Sequence, residues 1–408
     1  MKISRKFPYF RRQLPDRTKV GFTTAKIGHF FGSCSHLCNL FLKDTVKPLF
    51  KFGISPCLHY LRKCLCRSHP PQQDNRYNAT MMHYIRRIIF IIMTMVLPST
   101  AMAQDGSSVF NFLGLPVSAH AAAHGGHNIS LVEDDITLAF HNPALLINAT
   151  GNTLSLNYMT YITDSKVAGA MYNMVFGERS AGAVAARYVD YGSFDGYDEN
   201  NNATGKFNAK DIELKAIYSY LLSDRISGGV SGKFISSKYE SYNSIALGVD
   251  LGLNYYNEEN DFSASIAVCN LGGQVKAFDD RTEKMPIDVQ FGISKKLSHA
   301  PIRVSVTLTD LNHWSKDHFY NADGSEDNFS ELLLKHAHFG ADLLLGDNFR
   351  VSLGYNYRMS QELSVAGSKW DGITAGAGLS VKRVRIGASY SKLHVSSSSF
   401  MFNVSYSL

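Results

Sequence analysis

Ile245-Ala246-Leu247-Gly248-Val249-Asp250-Leu251-Gly252-Leu253-Asn254-Tyr255 decides the fold. Every odd residue is apolar, while the even positions hold Ala, Gly, Asp, Gly and Asn. That is period two sustained over eleven residues, the pattern of a β-strand with unlike faces, and a helical period fits it poorly. The same alternation runs through Ile302 to Thr309 and through Phe349 to Tyr357. It returns in Ile212 to Tyr220, Phe262 to Cys269, Val289 to Ile293, Ile373 to Val381 and Val384 to Tyr390. Segments of about nine to eleven residues are what a tilted strand needs to cross a bilayer. A soluble β-sandwich would use strands of about five or six residues and would put Lys, Glu and Thr on the outward face.

Here the polar face is unusually small. Gly228, Gly232, Gly248, Gly252, Gly292, Gly354, Gly376, Gly378 and Gly387 imply an interior crowded by a ligand or a plug. Tyr158, Tyr220, Tyr255, Tyr256, Tyr355, Tyr357 and Tyr390 fall near strand ends, where amphipathic rings rest between lipid and water. The chain therefore reads as all-β, a transmembrane antiparallel barrel of about 14 strands. The approximate centres are Tyr158, Tyr172, Ala186, Ala216, Val230, Val249, Ile266, Phe291, Val306, Leu343, Leu353, Ala377, Ile386 and Val404. Short turns are expected at Leu222 to Arg225, Asn257 to Asn260 and Gly346 to Asn348. Longer polar loops, read as extracellular, fall at Asp195 to Ala209, Asn270 to Met285 and Asn312 to Leu332. At the carboxyl end Phe400, Phe402, Val404, Tyr406 and Leu408 alternate with polar residues. Phe402, Tyr406 and Leu408 resemble the C-terminal signal read by the outer-membrane barrel-insertion machinery.

The chain joins two compositions. Met1 to Ala103 holds 17 of the 41 Lys and Arg but three of the 35 Asp and Glu, which leaves 24 bases against 32 acids downstream. The barrel region is acidic, so the overall charge of +6 does not argue for nucleic acid. From Met82 the sequence reads as a signal peptide: Arg86-Arg87, the ten-residue apolar run Ile88 to Leu97, then Ala101-Met102-Ala103 before Gln104. Ten residues are too few to span a core of about 30 Å as a helix. Met81 or Met82 is read as the start, and export follows the Sec route to a Gram-negative outer membrane. The expected divisions are 1–81 as upstream extension, 82–103 as signal peptide cut between Ala103 and Gln104, 104–152 as plug and 153–408 as barrel. The spacings of Cys34, Cys38, Cys57, Cys64 and Cys66 match no zinc-finger pattern, and downstream only Cys269 remains.

The stretch before the first strand, Ser107 to Leu146, carries Phe110-Asn111-Phe112-Leu113, Pro116, Ser118-Ala119, Gly125-Gly126, Asp134-Asp135 and Asn142-Pro143-Ala144. By these residues the chain resembles the PorQ/PorV branch of the FadL-like outer-membrane barrels. Leu156-Asn157-Tyr158-Met159, Val189-Asp190-Tyr191-Gly192 and Ile293 to Leu297 with His299-Ala300-Pro301 look closer to the PorQ side. His120 and His124 stand where that branch leads one to expect Arg and Leu. The resemblance implies an N-terminal plug, where composition alone would also allow a periplasmic tail. It also implies a part in the type IX secretion system, holding a PorZ-like surface protein in an attachment complex with PorU- and PorV-type members that joins cargo to anionic lipopolysaccharide. The FadL-like class suggests an alternative, a transporter or binder of a hydrophobic ligand.

Chemistry has little support in the residues. His120, His124 and His127 have helical spacing for a metal, but Gly125-Gly126 interrupts it and no fourth ligand is evident, so histidines without metal are expected. Glu133, Asp134 and Asp135 read as an acidic turn. No G-x-S-x-G, P-loop or H-E-x-x-H occurs downstream of the leader, so neither catalysis nor a cofactor is expected. A lipid-modifying enzyme in the wall would need a nucleophile and a base on neighbouring strands, which alternation does not reveal. Lys295, Lys296, Lys382, Arg383 and Arg385 are read as rim charges for lipid head groups, lipopolysaccharide among them.

Overall fold

A computed structural model describes residues 109–408 except 163–164, 198–201, 280–281, 316–317, 320–326, 347, 364–370 and 395–396. The expected extension at 1–81, the signal peptide at 82–103 and the cleavage point at Ala103 and Gln104 lie outside the described residues. Among those described, fourteen antiparallel strands close into a barrel, each paired to its sequence neighbours and the first to the last. They are β1 (Thr153–Thr160), β2 (Lys166–Phe176), β3 (Ser180–Tyr197), β4 (Ala203–Ser223), β5 (Ile226–Tyr239), β6 (Tyr242–Asn257) and β7 (Phe262–Lys276). The circuit continues through β8 (Asp288–Lys296), β9 (Ile302–Leu308), β10 (Ala337–Leu345), β11 (Phe349–Asn356), β12 (Ile373–Val381), β13 (Val384–His394) and β14 (Ser397–Ser407). Each expected centre falls in the corresponding strand. Closure sets Thr153 opposite Ser407 and Met159 opposite Met401.

Burial is inverted relative to a water-soluble protein. On β6 the deciding stretch turns Leu247 and Leu253 outward, 53% and 50% exposed, while Asp250 and Asn254 face inward at 1% and 2%. On β14 Phe402 and Tyr406 are exposed, as is Leu408 just past it, whereas Asn403, Ser405 and Ser407 are buried. An apolar exterior around a polar interior is the arrangement a bilayer selects, because lipid pairs with no backbone or side-chain polar group. Tyr158, Tyr220, Tyr355 and Tyr390 share that exterior. Tyr256 instead bonds Asp261 at 3.1 Å on the inward parity, and Tyr357 begins a helix.

One end carries both barrel termini and short turns, including Asp224-Arg225 and the 3-10 turn Glu258–Asn260. The other end carries the long connections, so it is the outer one. Two expected loops are in large part strand. Asp195 pairs with Lys206 and Phe194 with Phe207, and β7 runs to Lys276. The β3–β4 ladder stands beyond the lipid, where both sheet faces meet water, while β7 from Leu271 to Lys276 runs alongside Ile245 to Val249 of β6; backbone pairing continues in both although alternation fades. The loop expected at Asn312 to Leu332 includes most of the helix α2 (Phe329–Lys335), and a second helix, α3 (Tyr357–Leu363), follows β11.

The described part of the N-terminal segment, 109–152, lies inside the barrel. Helix α1 (Ala119–Ala123) and the 3-10 turns Asn111–Gly114, Ile136–Phe140 and Pro143–Asn148 form it. Ala121, Ile129, Leu131, Leu138 and Leu146 are wholly inaccessible to water, which means the lumen is filled at their level. Cys269 faces that filling, its sulfur 3.7 Å from the carbonyl of His141.

Candidate functional site

The plug is seated by backbone fit and by charge. Its described residues contain no Lys or Arg, only Glu133, Asp134, Asp135 and histidines. The wall supplies the bases.

Ser118 caps α1, its side chain accepting from the Ala121 amide, and the Ala119 amide donates to Asn403 of β14. One turn apart on α1, His120 and His124 both reach Asp342 of β10: His120 Nε2 at 3.0 Å and His124 Nε2 at 2.7 Å from Oδ1. The other oxygen, Oδ2, accepts from Arg303 Nε at 2.9 Å and Nη2 at 2.6 Å, and Ser352 donates to Oδ1 at 2.6 Å. Arg303 also holds Glu133, as does Arg350 at 3.1 Å. Glu133 lies 3.0 Å from His120 Nδ1 but out of line for a hydrogen bond. His124 Nδ1 meets Ser305 at 2.8 Å. The three groups His120, His124 and Asp342 converge as metal ligands would. Arg303, however, already brings to this carboxylate the positive charge an ion would supply, so the cluster reads as a buried ion-pair latch.

Gly125 and Gly126 end α1 at φ of +78° and +99°, in the left-handed region that glycine tolerates. Gly125 donates to Thr374 at 2.9 Å, and its carbonyl accepts from Asn356 at 3.1 Å. His127 departs from its two neighbours and pairs with Gln290 at 3.0 Å.

Asn142, Pro143 and Ala144 form the second seat. Asn142 Oδ1 accepts from the Ala144 amide at 3.0 Å, and its Nδ2 donates to the Ile129 carbonyl at 2.9 Å. The Ala144 carbonyl accepts from Ser219 at 3.2 Å and Ser227 at 3.0 Å. The wall opposite is bare backbone: a Cβ on Gly229 would lie 2.3 Å from Ala144 N, and one on Gly252 would lie 2.0 Å from Asn142 Oδ1. Gly292, Gly354 and Gly376 likewise meet the plug. Of the other expected interior glycines, Gly387 meets Ala119, Gly248 meets Lys233 and Met285, Gly378 meets Arg350, and two are not interior. Gly228 lies against Leu222 and Leu253 and Gly232 meets nothing, both on the parity of outward Val230 and Phe234.

The acidic turn is a docking turn. Asp135 caps Ile136–Phe140 through the Thr137 amide at 2.9 Å, while Asp134 accepts from the Thr150 amide at 2.6 Å and pairs with Arg385. Arg385 is thus a plug contact and not the rim charge expected of it. Lys295, Lys296, Lys382 and Arg383 do lie at the short-turn end. Phe110 and Pro116 are buried, Phe110 at φ +62°.

Sequence reasoning missed a further wall cluster around Phe140. Arg187 pairs with Glu213, donates to the Leu115 carbonyl at 3.0 Å and stacks on Phe112 and Phe140 at 5.0 and 5.2 Å. Lys215 donates to the Phe140 carbonyl at 2.7 Å and pairs with Asp250 at 2.7 Å, and Lys233 pairs with Asp250 at 2.8 Å. The available signal was parity, since these charges occupy inward positions of membrane strands.

Seating is expected to depend on pH. Burial pushes His124 down to about 4 despite Asp342, and burial also lowers His127 and His141. His120 moves the other way: burial and Arg350 depress it, but Asp342 and Glu133 outweigh them. A histidine depressed in the seated state stabilises seating fully above its free value near 6.5 and loses that contribution as pH falls toward 4. His120 contributes in the opposite direction, present below about 6.5 and lost as pH rises, against three depressed histidines. Lowering pH from 7.5 to 4.5 is therefore expected to weaken seating, by on the order of 2–3 kcal/mol for His124 alone. Conductance across planar bilayers reads this: openings are expected at pH 4.5 and not at pH 7.5, and silence at both would contradict it.

No protein-family model matches the chain, and no curated protein matches it. Among solved structures it is similar to the Ralstonia pickettii toluene transporter TbuX, at 13% identity and TM-score 0.45, over 73% of this chain and 98% of that one. The Pseudomonas putida toluene transporter TodX follows at 14% and 0.44, over 71% and 97%. A Pseudomonas aeruginosa FadL homologue gives 11% and 0.41, over 71% and 98%. Identities this low carry neither ligand nor activity to this chain.

Proposed function

We propose that this plugged outer-membrane barrel is a foundation for a surface partner, with its work done on the outer loops rather than through the lumen. The observation that carries this is the seating of the plug. Opening the lumen would separate Glu133 from Arg303 and Arg350, would take His120 and His124 from Asp342, and would strip Asn142, Pro143 and Ala144 from a wall shaped to their backbone. The partner's identity rests on the sequence resemblance: a PorZ-like protein, in a type IX attachment complex with PorU- and PorV-type members, acting on cargo destined for lipopolysaccharide. Capture from detergent-solubilised outer membranes tests it. Recovery of such a surface protein with the tagged barrel is expected; a barrel recovered alone that binds a small hydrophobic molecule stoichiometrically would overturn it.

A second reading, binding or uptake of a hydrophobic ligand, has its own observation. Toward the outer end the wall turns apolar: Met159, Val167, Val189, Ile235 and Met401, with Met285, pack on Phe110 and Phe112. The chain's own aromatics there occupy a chamber in which a small apolar molecule would fit if residues 109–115 withdrew. Toluene, named for two of the similar structures, is the probe for that reading.

A further inference from the structure

The connection between β9 and β10 gathers donors that the plug and the wall do not use. Its base is pinned to β8: the Asp310 amide donates to Asp288 at 2.6 Å and the Leu311 amide to the Val289 carbonyl at 2.9 Å. Asp310 sits at φ +61°, a left-handed backbone that a non-glycine residue adopts only under constraint. From there its two carboxylate oxygens each face one imidazole. His313 Nδ1 is 2.6 Å from Oδ1 and His318 Nε2 is 2.7 Å from Oδ2. The rings are stacked, with centroids 4.5 Å apart and planes 12° from parallel. One donor atom from each of the three residues falls within 4.8 Å of the others. The side chains are 22%, 47% and 26% exposed for Asp310, His313 and His318, so an ion can reach them.

A second observation lies beside this cluster. His336 is wholly buried and donates through Nδ1 to the Thr309 carbonyl at 2.8 Å. That bond leaves Nε2 with its lone pair, and Nε2 has no hydrogen-bond partner among the described residues. Orientation of one imidazole nitrogen by a backbone carbonyl is what metal-ligating histidines use. The Phe319 ring lies 4.7 Å from the His318 ring and 4.9 Å from His336, so His336 is one ring away from the cluster. The titratable and charged groups facing it are Asp310, His318 and Arg358, and Arg358 is engaged by Glu362 at 2.8 Å and rests on Phe319.

We propose that Asp310, His313 and His318 form a binding site for one divalent transition-metal ion, of which Zn²⁺ is the best fit. Two imidazoles and one carboxylate are a zinc donor set, and water or an incoming group completes four-coordination. The ion takes the ring nitrogens that face the carboxylate; a neutral ring then carries its hydrogen on the other nitrogen and a protonated ring must give one up, so binding weakens in acid. It would pin the loop that presents Trp314 and the exposed Phe329 of α2, stacked at 6.0 Å, on the outer face. The inference stands apart from the anchoring reading, since it needs no partner.

The test is Zn²⁺ titration of the metal-stripped full chain in detergent, in competition with a chromophoric chelator. One ion per chain is expected. The paired substitution His313→Ala with His318→Ala is expected to lower affinity at least about 100-fold, with the barrel's gel mobility unchanged. His299→Ala, an exposed histidine at the opposite end, is expected to bind as wild type. Equal binding by wild type and the paired variant, whether strong or absent, overturns the site.

Discussion

Asp342→Ala is expected to unseat the plug while leaving the barrel wall intact. Asp342 is wholly buried and accepts from Arg303, His120, His124 and Ser352. Removing it leaves a guanidinium buried with only Glu133 for company, and two imidazoles without their acceptor. A buried charge stripped of its partner typically costs about 3–5 kcal/mol, a large share of a domain's net stability. Asp342→Asn keeps an acceptor and loses the charge, and is expected to fall between. Chymotrypsin cleavage at Phe112 and Phe140 measures the effect, because both rings are buried when the plug is seated. A variant as resistant as wild type would mean that the latch contributes little.

The second large effect is steric. Gly229→Val combined with Gly252→Val puts a side chain where Ala144 N stands at 2.3 Å and Asn142 Oδ1 at 2.0 Å. On the Gly229 side the obstacle is backbone, which no rotamer change can clear. Residues 142–144 must lift, at a cost beyond the roughly 1–3 kcal/mol of ordinary overpacking. Because the outward face is untouched, the barrel still inserts, and a conducting channel is expected in planar bilayers where the wild type shows none. Gly232→Val is the control, outward and with nothing within 4 Å. If the paired variant behaved like Gly232→Val, the seat of Asn142-Pro143-Ala144 would be wrong.

Much of the wall was legible because lipid on one side and a narrow lumen on the other write period two into each strand. The reading weakened where that contrast ends. Above the membrane Phe194 to Tyr197 and Ala203 to Phe207 pair as strand although neither face is uniformly apolar. The helix α2 was announced by Asn328 and Glu331, a capping pair that a turn-rich context obscured. Adjacent Gly228 and Gly229 hid which glycine faces inward, though Val230 and Phe234 carry the answer in their parity. The latch was out of reach for a different reason: His120 and Asp342 are 222 residues apart, and only closure of the barrel makes them neighbours. Asp310, His313 and His318, by contrast, sit within nine residues of sequence, and attention to the plug histidines passed over them.

A cross-link between plug and wall tests the central claim most directly. A Cβ on Gly387 would lie 3.5 Å from Cβ of Ala119, at the short edge of the range a disulfide bridges. In the Ala119→Cys, Gly387→Cys protein the bond is expected to form on mild oxidation, and capture of the surface partner is expected to be equal with and without reductant. Free thiols that refuse to join, or partner capture that returns only on reduction, would contradict a plug that fills the lumen and stays there.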